Sequence, residues 1–177
     1  MAIYFILQSP ERVFVSATPS KEESARLEAF LKAAAKSSNG VWSATPQAIN
    51  QYVGTKVMPT SLVNALGLDV KMASCAVELN EGFFDFQIKL KIANRNCYLT
   101  LQIKTVSENG RLGIICKSAS LGRMTIPLIL IPLVKPLWAP CFASLETFIA
   151  VVSTAEKAEI SRKNVVIRWP AGAEKRP

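Results

Sequence analysis

The chain has 177 residues, half of them apolar, and 21 Lys and Arg against 13 Asp and Glu give it a net charge of +8. That length suits one domain with a sizeable core, and the apolar content excludes intrinsic disorder. The positive charge favours anionic partners such as phospholipid headgroups or nucleic acid, and says nothing about fold.

The sequence contains no histidine. The commonest general base, the Ser-His-Asp and Cys-His nucleophile arrangements and the HExxH zinc helix are therefore all missing. Asp69 and Asp85 are the only aspartates, and no D-x-D calcium loop is formed. Gly110-Arg111-Leu112-Gly113 reads as a turn and strand start, not a phosphate loop. The expectation is a non-enzymatic protein without a metal or a cofactor. Cys75, Cys97, Cys116 and Cys141 form no C-x-x-C pair and read as small core residues. Cys97 and Cys116 fall at inward positions of neighbouring strands, so a disulfide between them stays open.

Residues 1–7 are apolar but far short of the roughly 20 residues that cross a bilayer. They read as a buried first strand or as the end of a membrane anchor, and residues 12–17 resume as a short extended piece. Ser20 and Glu23 form a capping box that opens a helix. Leu27, Phe30, Leu31 and Ala34 supply its apolar stripe, and Asn39-Gly40 stops it. Trp42-Ser43-Ala44 reads as an extended link. Thr45-Pro46 starts a second helix, with Ile49, Tyr52, Val53 and Val57 on one side, Asn50 between them and Pro59 as its limit. Residues 60–68 read as another helical turn or a loop.

From Asp69 to Ser118 the alternation becomes strict. Phe84, Phe86, Ile88, Leu90 and Ile92 alternate with polar residues, as do Cys97, Leu99, Leu101 and Ile103. Period-2 patterning of this length signals antiparallel strands with one buried face. Asn109-Gly110 supplies a hairpin turn into a further strand at Leu112, Ile114 and Cys116. From Leu121 to Cys141 the chain is apolar, with prolines at 127, 132, 136 and 140. That spacing argues against a straight transmembrane helix and for a kinked or extended segment. A third helix is expected from about Pro140 to Glu156, with Phe142, Leu145, Phe148, Ile149 and Val152 on its stripe. Residues 164–169 form a last strand before a charged tail. The fold class is α+β: one domain over 1–177, with a twisted antiparallel β-meander and helices packed on one face.

Several of these features together resemble the YpmS-like family of bacterial proteins. They are the threonine-initiated helix holding Ile49-Asn50, the meander ending in Ser118-Ala119-Ser120-Leu121-Gly122, and Thr125-Ile126-Pro127 before an apolar helix. The resemblance spans roughly residues 42–169. It implies a curved antiparallel sheet around helices, akin to lipid-binding domains with an apolar groove, on the extracytoplasmic side behind an N-terminal membrane helix. It implies no catalytic residues. The chain departs from that pattern in its short apolar start and its four prolines.

The leading functional expectation is binding of a lipid-like or hydrophobic ligand at a membrane surface. Phe84, Phe86, Leu99, Leu101, Ile126, Leu130 and Trp138 are the candidates for lining its groove. Lys89, Lys91, Lys104, Arg111 and Lys117 on the outer sheet face are the candidates for anionic headgroups. A protein-interaction domain of an envelope assembly, docking through the 124–141 segment, is the alternative. Nucleic-acid binding by the basic face is disfavoured, since only Tyr98 alternates outward as a stacking aromatic.

Overall fold

The computed structural model describes residues 10, 12–14, 18, 20–37, 40–62, 70–92, 95–108 and 110–170. The apolar start at 1–7, the turn residues Ala93, Asn94 and Asn109, most of the 60–68 segment and the tail from 171 lie outside those residues.

The meander is the larger of two sheets. It comprises β2 (Thr60–Leu62), β3 (Val70–Asn80), β4 (Phe83–Ile92), β5 (Arg95–Glu108), β6 (Arg111–Leu121) and β7 (Met124–Ile126), hydrogen-bonded in chain order. Every pairing is antiparallel. The alternation places the buried face as expected, with Phe86, Ile88, Leu90, Cys97, Leu99, Leu101 and Ile103 all at 2% exposure or less. Two extra residues break the period. Met72 opposes Leu90 and Ser74 opposes Lys89, leaving Ala73 as a bulge; Ile103 opposes Cys116 and Gln102 opposes Ser118, leaving Lys117 as another. Bulges bend a strand and sharpen its twist. The hairpin between β6 and β7 turns on Gly122 at φ +60°, and its N–H bonds the Tyr98 carbonyl at 2.7 Å.

A second sheet was not expected. β1 (Val41–Ala44), β8 (Lys157–Ile160) and β9 (Val165–Arg168) pair in the order β1-β9-β8. So the 42–44 link is a strand, and the last strand joins it rather than the meander. Gly40 precedes β1 at a point of close approach: a Cβ there would lie 1.7 Å from the Ala34 carbonyl oxygen. The segment at 60–62 is likewise a strand, not a helical turn.

The first helix, α1 (Lys21–Lys36), is capped by Ser20, whose hydroxyl accepts the Glu23 N–H at 3.3 Å. Its buried stripe is Ser24, Leu31 and Ala34, whereas Phe30 is 54% exposed. α2 (Pro46–Lys56) is capped by Thr45 with proline in its first turn. Glu28 of α1 ties the two helices, holding Lys32 at 2.8 Å and Lys56 at 2.7 Å.

Asn50 of α2 is the link between helix and sheet. β2 covers β3 only at Val70–Met72, so beyond that point one edge of β3 has no strand partner among the described residues. The Asn50 carboxamide takes that place. Its Oδ1 accepts the Val77 N–H at 2.7 Å, while its Nδ2 donates to the Val77 carbonyl at 2.7 Å and to the Pro46 carbonyl at 2.9 Å. A side-chain amide thus pairs both main-chain groups of Val77, as a neighbouring strand would.

The proline-rich segment is helical, which corrects the expectation of an extended or kinked run. A 3₁₀ turn (Leu128–Leu130) leads into α3 (Ile131–Ser144), and α4 (Glu146–Ser153) follows after a 77° bend at Leu145. The single helix expected from Pro140 to Glu156 is therefore two. Pro132 sits in the first turn of α3, where no N–H is needed. Pro136 and Pro140 follow at four-residue steps, so the missing donors share one stripe with the carbonyls they leave unbonded, at Pro132 and Pro136. Both of those residues are exposed, and one step further the Ser144 hydroxyl donates to the Pro140 carbonyl at 3.0 Å.

The opposite sheet face is not simply wet. Gln87 is 3% exposed because residues 12–14 cross it. Its Oε1 accepts the Phe14 N–H at 2.9 Å, and its Nε2 donates to the Arg12 carbonyl at 3.1 Å. The Cys97–Cys116 disulfide is excluded by register. Cys97 opposes Leu90 while Cys116 opposes Ile103, six positions along β5, a separation of about 20 Å at ~3.4 Å per residue. All four cysteines are free thiols.

Replacing Asn50 with Leu, similar in size but unable to bond, leaves Val77 N–H and Val77 C=O short of a partner. We expect a destabilisation of roughly 2–4 kcal/mol in urea unfolding. A loss below about 1 kcal/mol would show that β3 is held without the amide.

Candidate functional site

Two apolar cores meet beneath α4. One is the meander face with α2 and α3; the other joins α1, β1, β9 and Trp169. Leu27, Ile49, Phe148 and Val165 pack against both. At that seam lies a cavity of about 110 Å³ with wholly apolar lining. β4 supplies Phe84 and Phe86, α2 supplies Ile49, Tyr52 and Val53, and β1 supplies Trp42. Phe142, Leu145, Phe148, Ile149 and Val152 close it from the bend between α3 and α4. These are the stripe residues of the expected third helix. The bend is what turns them around one space.

Aromatic rings frame this space. Phe148 meets Trp42 edge-on at 5.9 Å and Tyr52 at 5.4 Å, and Phe142 lies 5.3 Å from Phe86 and 5.2 Å from Trp138. The indole N–H groups of Trp42 and Trp138 are buried with no acceptor, while that of Trp169 reaches the Thr154 hydroxyl at 3.0 Å. An apolar space of this order offers water no partners. It also falls well short of the roughly 300–1,000 Å³ of usual small-molecule sites.

The seven expected groove residues separate into distinct environments. Phe84 and Phe86 line the cavity. Leu99, Leu101 and Ile126 are core, at 0%, 2% and 5% exposure, and do not line it. Trp138 packs on Phe142, and Leu130 is 42% exposed on the outside. The structure therefore does not bring these residues together in one groove.

Leu130 instead belongs to a patch that the sequence reading missed. Leu128, Ile129 and Leu133 are 61%, 85% and 74% exposed beside it. Ile131, Val134, Leu137 and Trp138 of the same helix pack on the sheet core. α3 is thus apolar on both its faces. An uninterrupted Leu-Ile-Leu run just before a proline was the available signal.

The five expected headgroup cations are also divided. Lys89 opposes Tyr98, and Lys91 opposes Asn96, at one end of the sheet. Lys117, Lys104 and Arg111 lie progressively further along β5 and β6, roughly 15, 20 and 35 Å from the Lys89–Tyr98 pair at ~3.4 Å per residue. Arg111 directly faces Glu108. Tyr98, expected to stand outward, is 9% exposed, so it offers no open stacking surface among these cations. Among the described residues no three His, Cys, Asp or Glu side chains converge as a metal site.

No family model, no curated protein and no solved structure matches this chain.

The cavity wall carries one titratable reporter. Burial, with the Glu28 carboxylate nearby, pushes the Tyr52 phenol up to about 12. Below pH 10 the phenol is protonated in folded and unfolded chains alike, and its preference for the folded environment is fully present. Between pH 10 and 12 the unfolded chain releases that proton and the folded one holds it, so stability falls with rising pH. Urea unfolding across this range should show that fall in the native chain, and Tyr52→Phe should make it shallower, the buried thiols of Cys75 and Cys97 still contributing a fall of the same sign. Equal slopes in both proteins would mean that the phenol ionises as freely as in water.

Proposed function

We propose that this chain is a non-enzymatic, membrane-associated protein that binds a lipid-like or hydrophobic ligand, and that it works on the extracytoplasmic side. The observation that carries the reading is α3. One helix exposes Leu128, Ile129, Leu130 and Leu133 at its start and closes an all-apolar cavity at its end. Exposed apolar surface gathered in this way marks a contact with membrane or partner. Full burial of each such side chain contributes about 1.5–3 kcal/mol. Lys135, exposed within the same segment, adds ~1 kcal/mol near an anionic leaflet. The extracytoplasmic assignment rests on the resemblance to the YpmS-like family.

The ligand end of the proposal requires the cavity to enlarge. The bend at Leu145 joins two helices through a single residue, and a shift of α4 away from β4 opens the seam between the cores. An apolar chain then replaces the contacts of Phe148 and Ile149, and the unbonded Trp42 N–H meets a polar atom of the ligand. No residue in this arrangement performs a reaction.

Co-sedimentation with phosphatidylglycerol-containing vesicles tests the membrane contact. Ile129→Asp with Leu133→Asp alters only exposed positions, and we expect partitioning to fall by at least about tenfold. Unchanged partitioning of the double variant overturns the assignment of this surface. The cavity is tested separately by displacement of a fluorescent fatty-acid probe. Ala158→Leu, which fills the space from β8, should abolish probe binding and leave vesicle binding intact. If the native chain ignores vesicles and self-associates through 127–136, the interaction-domain reading replaces this one.

A further inference from the structure

Three sulfur atoms converge where α3 crosses β3. The Cys141 Sγ lies 3.0 Å from the Met72 Sδ and 3.6 Å from the Cys75 Sγ, and the Cys75 Sγ is 3.8 Å from the Met72 Sδ. All three residues are buried, at 3%, 2% and 0% exposure for Met72, Cys75 and Cys141. We propose that Met72, Cys75 and Cys141 form a trigonal site for a soft monovalent metal ion, Cu(I). This inference is independent of the lipid-binding reading.

The triangle has the right shape and size. Its centre is about 2.0 Å from each sulfur, and side-chain shifts of roughly 0.3 Å bring it to the ~2.3 Å of a metal–thiolate bond. The donor set selects the metal. Two thiols and a thioether are soft ligands, which favour Cu(I) and offer nothing to Mg²⁺ or Ca²⁺. Structural zinc wants four ligands in a tetrahedron, and here there are three.

The backbone supports the grouping. In a regular strand, positions 72 and 75 point to opposite faces. The bulge at Ala73 moves Met72 onto the inward face with Cys75, opposite Leu90 and Ile88. Without that extra residue the thioether would face away from Cys141. The Cys141 contact and burial push the Cys75 thiol up. Binding exchanges both thiol protons for Cu(I): two sulfur–hydrogen bonds break, two sulfur–copper bonds form beside that of the thioether, and both protons leave to solvent. The site then contains two thiolates and one thioether around the cation and carries one net negative charge.

The test is an anaerobic titration of the reduced full chain with Cu(I), in competition with bicinchoninate. We expect one tightly held equivalent, with near-ultraviolet sulfur-to-copper absorption and three sulfur neighbours by X-ray absorption. Met72→Leu conserves volume, keeps both thiols and should weaken affinity by about tenfold or more. Cys75→Ser and Cys141→Ser should lose the equivalent altogether. Cys97→Ser and Cys116→Ser should keep it. No uptake by the native chain, or equal uptake by all these variants, overturns the site. A preparation that instead joins Cys75 to Cys141 on mild oxidation and takes no Cu(I) when reduced likewise overturns it, leaving a disulfide position.

Discussion

A single side-chain amide decides how this protein is put together. β2 covers only three residues of β3, and among the described residues no strand pairs with that edge beyond them. Asn50 fills that gap with both an acceptor and a donor for Val77. Because Asn50 sits in the first turns of α2, the bond also fixes where the helix lies, and α2 carries Ile49, Tyr52 and Val53 into the seam between the cores. The Glu28–Lys56 salt bridge then joins α1 to α2. An apolar residue at position 50 would bury as readily but would leave both main-chain groups of Val77 without partners. Geometry here is specified by a polar pair, and packing follows from it.

α3 shows how a sequence that looks hostile to helix can form one. Each proline removes a donor, and a random spacing would scatter the damage around the helix. Steps of four residues gather it on one side, where solvent or a headgroup region can bond the freed carbonyls. That same side carries the exposed leucines. A surface both apolar and short of hydrogen bonds suits the boundary of a bilayer better than its hydrocarbon interior, where unpaired carbonyls are costly. The sheet-facing side, in contrast, holds regular core residues and the Cys141 thiol.

Local signals were legible in the chain and distant ones were not. The alternation of Phe84 to Ile92 and Cys97 to Ile103 revealed two strands and their buried faces, since period 2 needs no partner to be seen. Ser20 and Thr45-Pro46 marked helix starts through bonds that close within three residues. By contrast, Val41–Ala44 is four residues long, too short to show a period, and its pairing with Val165–Arg168, which did read as a strand, joins segments far apart in the chain. Gln87 looked like a solvent residue because only the crossing of residues 12–14 buries it. The site divides in the same way. Phe84 and Phe86 were found from strand alternation, whereas Tyr52, Trp42 and Phe148 reach the cavity only through the arrangement of helices around it. The Met72/Cys75 pairing broke the strand period, and that mismatch was the one written sign of a bulge.

The small sheet has a consequence for the order in which the molecule can be made. β1 sits at an edge and pairs with β9 alone, a partner separated by roughly 120 residues of chain, so closing that loop carries a large entropic cost. The meander hairpins and the β8–β9 hairpin are local and close quickly. During synthesis Trp42 and α1 emerge before the strand that completes their sheet, so a chain that has not yet reached β9 presents Trp42 and Leu31 to whatever meets it first.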